Sequence, residues 1–177
     1  MKTLRKRLIS FLSVAVGGST GEMIGNRMDN QAREIENKVP DAKVERVGEG
    51  IAVEFSSNDL FGPDTSTLSN YAKLNVGKLV TILHLYADTD IEIQGHTDDK
   101  GTEAYNSFLS ELRAGAVSGY LATKGIADDR VKIKGFGESM PKYDNRTEEG
   151  RSQNRRVEFL ITANQKMKAE AEEEAAE

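Results

Sequence analysis

The spacing of apolar positions divides the chain into strands and helices. Ile51, Val53 and Phe55 fall on alternate positions and, with Val44 to Val47 just before them, read as the first strand of a domain. Asn58 to Asp64 contains Gly62 and Pro63 and reads as a loop, after which Thr65 or Ser66 stands where a helix cap belongs. Leu68, Tyr71, Ala72, Leu79, Ile82, Leu83 and Tyr86 then give the apolar stripe of a helix ending near Tyr86. Ile91 and Ile93 make a second strand, a helix-period run from Ala104 to Lys124 follows, and Gly125 sits where a C-terminal cap is expected. Val131 and Ile133 mark a third strand and Arg156 to Thr162 a fourth, separated by a Gly-, Pro- and Asn-bearing connection. Strands alternating with helices predict an α/β layer sandwich, in the order β-α-β-α-β-loop-β, with two long helices on one face of a four-stranded mixed sheet.

The flanks read differently. Met1 to Arg7 is basic and Leu8 to Val16 apolar, the order of a secretory signal peptide, with Ala15 and Gly17 small enough for a cleavage site. Glu22, Arg27 and Asp29 interrupt this stretch too early for an unassisted membrane span, which needs ~20 mostly apolar residues. Gly17, Gly21 and Gly25 recur every fourth residue. On a helix they form a smooth strip for packing in a membrane, and in a coil they form a flexible linker. Residues 1–27 are therefore a signal-like or membrane-associated segment, 28–44 a short helix or linker ending by Pro40, 45–164 the domain, and 165–177 an acidic tail, helical or disordered.

With 37% hydrophobic and 30% charged residues, the chain fits neither a disordered protein nor a polytopic membrane protein. Its net charge of −5 is a property of the tail, since Glu170 to Glu177 holds five Glu. No broad basic face is available for a phosphate backbone, so nucleic acid is not expected as a partner. Cysteine is absent, which excludes disulfides, thiolate metal sites, a cysteine nucleophile and a lipidated N-terminal cysteine. His96 beside Asp98 and Asp99 suggests a metal site, but zinc needs three or four ligands, and a strand-end histidine bonded to backbone is the expectation. Asp98 and Asp99 are sequence neighbours and point apart, unlike the facing acid and base of a hydrolase. Neither an enzyme nor a bound cofactor is expected.

Three segments carry the chemistry: Gly95-His96-Thr97-Asp98-Asp99-Lys100-Gly101, Tyr105 to Ala114, and Asn145 to Phe159, reading NRTEEGRSQNRRVEF. In this order and spacing they resemble the OmpA-like peptidoglycan-binding family over residues 50–162. The resemblance implies a cell-envelope protein with a periplasmic, outer-membrane-associated domain. Such a domain grips meso-diaminopimelate in stem peptides and anchors the outer membrane or an envelope complex to the wall.

Diaminopimelate carries an ammonium and a carboxylate on one carbon, so its receptor needs a fixed anion and a fixed fork of donors. The resemblance assigns these to Asp98 and Arg113, with Thr97, Asn106, Leu109, Phe55, Ser56 and Arg155 around them. Asn106, Ser110 and Arg113 share one helix face, and Leu109 borders it as an apolar wall. Taken from charge alone, Asp98 and Arg113 read equally well as a surface ion pair worth ~0 to 1 kcal/mol. Arg113 is expected on the helix surface, where its removal leaves the fold intact. Arg151 and Arg156 are expected to be structural. Ser56 stands where the family often has Asp, so a second negative charge for the ammonium is missing there. Two other readings remain: a membrane assembly protein using the glycine strip, and a stator-type motor anchor, for which Glu22 is a poor proton carrier in so short a segment.

Overall fold

The computed structural model describes residues 18–177. The signal-like stretch of residues 1–17, including Gly17, lies outside the described residues. Helix α1 (Gly18–Lys38) leads into strands β1 (Lys43–Val47) and β2 (Gly50–Ser56), a short helix α2 (Ser57–Leu60) and the longer α3 (Asn70–Leu85). Then come β3 (Thr89–His96), α4 (Glu103–Thr123), a 3-10 turn (Asp128–Arg130), β4 (Val131–Gly135), α5 (Glu148–Asn154), β5 (Arg156–Ala163) and α6 (Gln165–Ala176).

The sheet is mixed, as expected, but it has five strands rather than four, in the order β1-β2-β5-β3-β4. The stretch read as one first strand is a hairpin. Val44 pairs with Val53 and Val47 with Gly50, and Gly48 at φ 59° supplies the left-handed turn between them. Two short apolar runs separated by two glycines and a glutamate do not show by periodicity alone where the chain reverses. Only β3 and β4 run parallel, joined by α4 as a crossover.

The period of two sorts side chains between the faces. Val53, Phe159 and Ile93 lie in register on one face, as do Ile51, Ile161 and Ile91, and all six are buried. Leu79 and Leu83 of α3 and Val117 and Leu121 of α4 close over that face. Helix α1 joins the same core through Ile24, Met28, Ala32 and Ile35, a stripe at helical spacing. Residues 18–38 thus form a helix docked on the core rather than a linker, and the Gly25 carbonyl accepts from Arg46 of β1. The acidic tail is also docked: Met167 and Ala171 of α6 are buried, and Arg27 of α1 reaches Glu170 at 3.2 Å and Glu174 at 3.0 Å.

The opposite face carries a polar row across all five strands, Lys43, Glu54, Glu158, Gln94 and Lys134. The connection after β4 covers its middle. Lys142 meets Glu54 at 2.7 Å, and buried Arg156 bonds Glu158 at 2.6 Å and the carbonyls of Asn154 and Met140. Helix α3 begins later than its sequence suggests. Ser69, not Thr65 or Ser66, accepts the capping bond from Ala72, while Thr65 accepts from Thr67 inside the loop. Leu68 accordingly pairs with Phe61 in an isolated bridge across the loop's neck, and Tyr71 is exposed.

Candidate functional site

Two glycines bring the parts of the site together. A Cβ on Gly95 would lie 2.1 Å from the Ser110 carbonyl oxygen, and one on Gly135 2.6 Å from the Glu111 nitrogen. Helix α4 therefore rests on the backbones of β3 and β4, a distance that only glycine permits. The loop leaving β3 then emerges beside the helix face that holds Asn106 and Arg113. Ser110 fastens the arrangement, donating to Ser107 at 2.8 Å and accepting from the Gly137 N–H at 2.9 Å.

A cleft of about 370 Å³ opens there, lined by Asn58 of α2, by Gly62, Pro63 and Asp64 of the loop after it, by Thr97, Asp98 and Lys100 after β3, by Tyr105, Asn106, Leu109 and Arg113 of α4, and by Arg155. Six of the eight residues expected at the site meet in it. Phe55 and Ser56 do not. Phe55 points into the core, edge-on to Phe159 at 5.7 Å, because it falls on the helix-covered face of β2. Ser56 caps α2, accepting from the Asn58 N–H.

Asp98 is nearly buried and held at both oxygens. Oδ1 accepts from the Lys100 N–H at 3.0 Å and Oδ2 from Arg155 Nη1 at 2.5 Å. A carboxylate has about four lone-pair sites, so acceptor capacity remains. Arg155 also donates to Glu148 at 3.0 Å, and Glu148 is held in turn by Arg151. Partial burial works against the Arg155 charge, but its bonds to Asp98 and Glu148 outweigh this and hold the guanidinium above its ordinary range. The same donors, Arg155 foremost, keep the Glu148 carboxyl below its usual range.

Arg113 is not Asp98's partner, which removes the surface-ion-pair reading. It is also not a surface residue: it is 6% exposed, its guanidinium lies 5.2 Å from the Phe61 ring centre, and Nε donates to the Thr65 carbonyl at 3.0 Å. Burial lowers its basicity, against which Asp64 is the first opposing charge. Among the described residues its Nη groups meet no acceptor, and Arg113 lines the cleft. Asn106 is a positioning residue, its amide donating to the carbonyls of Asp98 and Lys100 and to Glu138. Thr97 donates to the Asp98 carbonyl at 2.8 Å.

Sequence reasoning missed Asp64, Lys100, Tyr105 and Asn58. Asp64, at φ 51°, puts a second carboxylate into the cleft from a loop whose path no periodicity describes. His96 is fully buried, stacked on Phe136 at 5.3 Å and bonded to the Gln94 side chain rather than to backbone. Burial first, then Arg156 and Lys142, push its pKa well below the ordinary histidine value. Among the described residues no group of His, Asp or Glu is arranged to hold a metal ion.

The profile of the OmpA family matches residues 60–155, and the chain belongs to that family. Outer-membrane lipoprotein YfiB of Pseudomonas aeruginosa is 37% identical over 116 residues, 65% of this chain and 68% of that one. The peptidoglycan-binding protein ArfA of Mycobacterium tuberculosis is 38% identical over 103 residues, 57% of this chain and 31% of that one. The crystal structure of a putative MotB-like protein from Desulfovibrio vulgaris superposes with a TM-score of 0.70 at 25% identity, covering 91% of this chain and 96% of that one. The chain spans only 16%, 36% and 31% of the length of the first curated relatives it matches.

Proposed function

We propose that the domain binds peptidoglycan without turnover, holding the diaminopimelate of a stem peptide between Asp98 and Arg113, and so anchors an envelope component to the cell wall. One observation carries the reading. A single cleft presents a carboxylate fixed at both oxygens by Arg155 and a backbone N–H, together with an arginine fork whose Nη groups meet no acceptor among the described residues. A carbon bearing both ammonium and carboxylate satisfies the two at once, and bidentate pairing to Arg is among the stronger polar contacts. Leu109 supplies the apolar wall for the methylene chain.

Family membership supports the wall-binding class, as does ArfA's name, and the outer-membrane names among the relatives support an envelope location. Among the described residues no helix is long and apolar enough to cross a membrane.

The test is calorimetric titration with two stem peptides, one containing diaminopimelate and one containing lysine, which keeps the side-chain ammonium and lacks the adjoining carboxylate. The lysine stem should bind more weakly by the worth of a charge-assisted hydrogen bond, roughly ten- to a hundredfold. Asp98→Asn should weaken both. Equal wild-type affinity for the two stems would overturn the assignment of Arg113.

A further inference from the structure

The outer side of α4, away from the cleft, is apolar. Phe108 is 61% and Leu112 43% exposed, and with Ile133 of the edge strand β4, 41% exposed, they wall a groove of about 440 Å³ that also takes in Gly115 and Ala116. One turn further along the same side comes exposed Gly119. From Ala104 to Ala122 the only charged residues are Glu111 and the buried Arg113, so this helix face presents almost no charge to water, where an exposed face is ordinarily polar. Nor does the fold itself need the two glycines. A Cβ on Gly119 would meet nothing within 4 Å, and one on Gly115 only the end of Ile133 at 3.9 Å, although alanine is the better helix former at both. Gly95 and Gly135, by contrast, must be bare for α4 to rest on the sheet.

Bulk and gap on this face match each other. Phe108 and Leu112 occupy its first half and Gly115 and Gly119 its second, and the pairs 108/119 and 112/115 share one midpoint, between Arg113 and Ala114. We propose that α4 packs antiparallel against α4 of a second copy about a two-fold axis at that midpoint, Phe108 seated on the partner's Gly119 and Leu112 on the partner's Gly115. A two-fold interface uses one patch twice, so the patch must complement itself, and bare glycine lets the facing backbone come close. Charge agrees with the pairing. Glu111 falls opposite the partner's Ala116 rather than its own copy. The N-terminal end of α4, with Glu103, lies towards the partner's C-terminal end, with Lys124, so charge and helix dipole are matched at both ends. The area sets the strength. A band half the girth of a helix along the ~27 Å from Ala104 to Ala122 covers about 500 Å² on each copy. A total of about 1,000 Å² lies at the lower bound for a specific interface, so the dimer is a weak one. Asn106, Leu109 and Arg113 lie on the other side of α4, and pairing leaves both clefts open.

Sedimentation velocity of the full chain from ~5 to ~500 μM tests this, and should show a monomer–dimer equilibrium with a dissociation constant of roughly 10 to 100 μM. Phe108→Ser should weaken it at least about tenfold, as the loss of a buried aromatic side chain implies. Gly119→Leu should weaken it as much, because the new side chain fills the gap that Phe108 enters, while the melting temperature stays at or above that of wild type. On a face that merely adheres to lipid or to any apolar surface, the extra leucine would strengthen association or leave it unchanged. That result overturns the proposal, as does a wild-type chain that stays monomeric at the highest concentration. Disulfide trapping reads the register, since the chain has no cysteine of its own. Phe108→Cys mixed with Gly119→Cys should give a cross-linked dimer on oxidation, and neither variant alone should. Like positions in this register are eleven residues apart, ~16 Å along the axis and beyond the ~7 Å reach of a disulfide. Equal cross-linking in the mixture and in either variant alone overturns the antiparallel pairing.

Discussion

Replacing Arg113 should cost the protein stability as well as ligand, and the two losses can be separated. Arg113→Ala removes a hydrogen bond from a charged donor to the Thr65 carbonyl and the stacking of the guanidinium on Phe61. The first is worth ~1.5 to 3 kcal/mol and the second ~0.5 to 2 kcal/mol, while alanine's better helix propensity returns only a few tenths. The net is a loss of about 2 to 4 kcal/mol, which for a domain of this size lowers the melting temperature by roughly 5 to 15 °C. The loop between Phe61 and Ser69 should loosen first, because Arg113 holds its tip from α4 while its neck is closed by the Phe61–Leu68 bridge and the Ser69 N–H bond to Leu60. Arg113→Lys keeps a cation near Phe61 but has no Nε donor and no fork, so it should melt between the wild type and the alanine variant. Both variants should lose most binding to purified sacculi in sedimentation. If Arg113→Ala melts within about 1 °C of wild type, a difference of half a kcal/mol or less, the tie to Thr65 contributes nothing and the reasoning fails.

Three further outcomes follow from the same geometry. Gly95→Ala forces a methyl against the Ser110 carbonyl and should destabilise by ~1 to 3 kcal/mol in urea melts while weakening sacculus binding, because α4 must lift away from the loop of Asp98. Glu158→Gln leaves Arg156 buried with carbonyl partners only and should cost ~3 to 5 kcal/mol in the same melts, with no change in ligand preference among molecules still folded. His96 is held neutral in the fold with its pKa depressed, so the unfolded chain binds a proton that the folded chain refuses. Stability should fall as pH drops below ~6.5, by up to ~1.4 kcal/mol per pH unit, and His96→Leu should flatten this slope between pH ~6.5 and ~5, above the range where the carboxylates titrate.

The parts of this protein that were legible in its sequence are those governed by a period. The alternation of Ile51, Val53 and Phe55 and of Val157, Phe159 and Ile161 named the covered face of the sheet correctly, and Gly125 at φ 83° ends α4 as its position suggests. The helical spacing of Ile24, Met28, Ala32 and Ile35 was present too, but the neighbouring glycines and charges outweighed it, and one helix that completes the core read as the end of a signal-like segment followed by a short helix or linker. The site divided in the same way. Residues on α4 and at the end of β3 were named because the motifs that resemble the OmpA-like family fall on them, and both elements deliver those residues to one cleft. Ser56 was misplaced because its role depends on α2, a single turn that sequence spacing does not announce, and Phe55 because the family resemblance was followed over the alternation that already put it on the covered face. Asp64 and Lys100 were missed because each sits on a loop whose course is set by one or two backbone hydrogen bonds rather than by a pattern.

These loop residues also bear on the charge thought to be missing at Ser56. An aspartate there would sit at the end of β2, beside Arg156 in register, at the start of α2. In this chain the second carboxylate of the cleft comes from Asp64, across the loop, and Arg113 feels it more strongly than any other anion. Its effect on a ligand is therefore twofold. It adds negative charge to attract an ammonium, and it also partly neutralises the fork that must take a carboxylate. Removing it should shift the balance between the two halves of the ligand rather than simply weaken binding. Asp64→Asn should narrow the preference of the cleft for ammonium-bearing over acetylated stems and widen its preference for diaminopimelate over lysine stems, because Arg113 then has no competing anion beside it. A uniform loss across all three ligands in calorimetry would instead mean that Asp64 only shapes the loop, a role its left-handed backbone already requires of it.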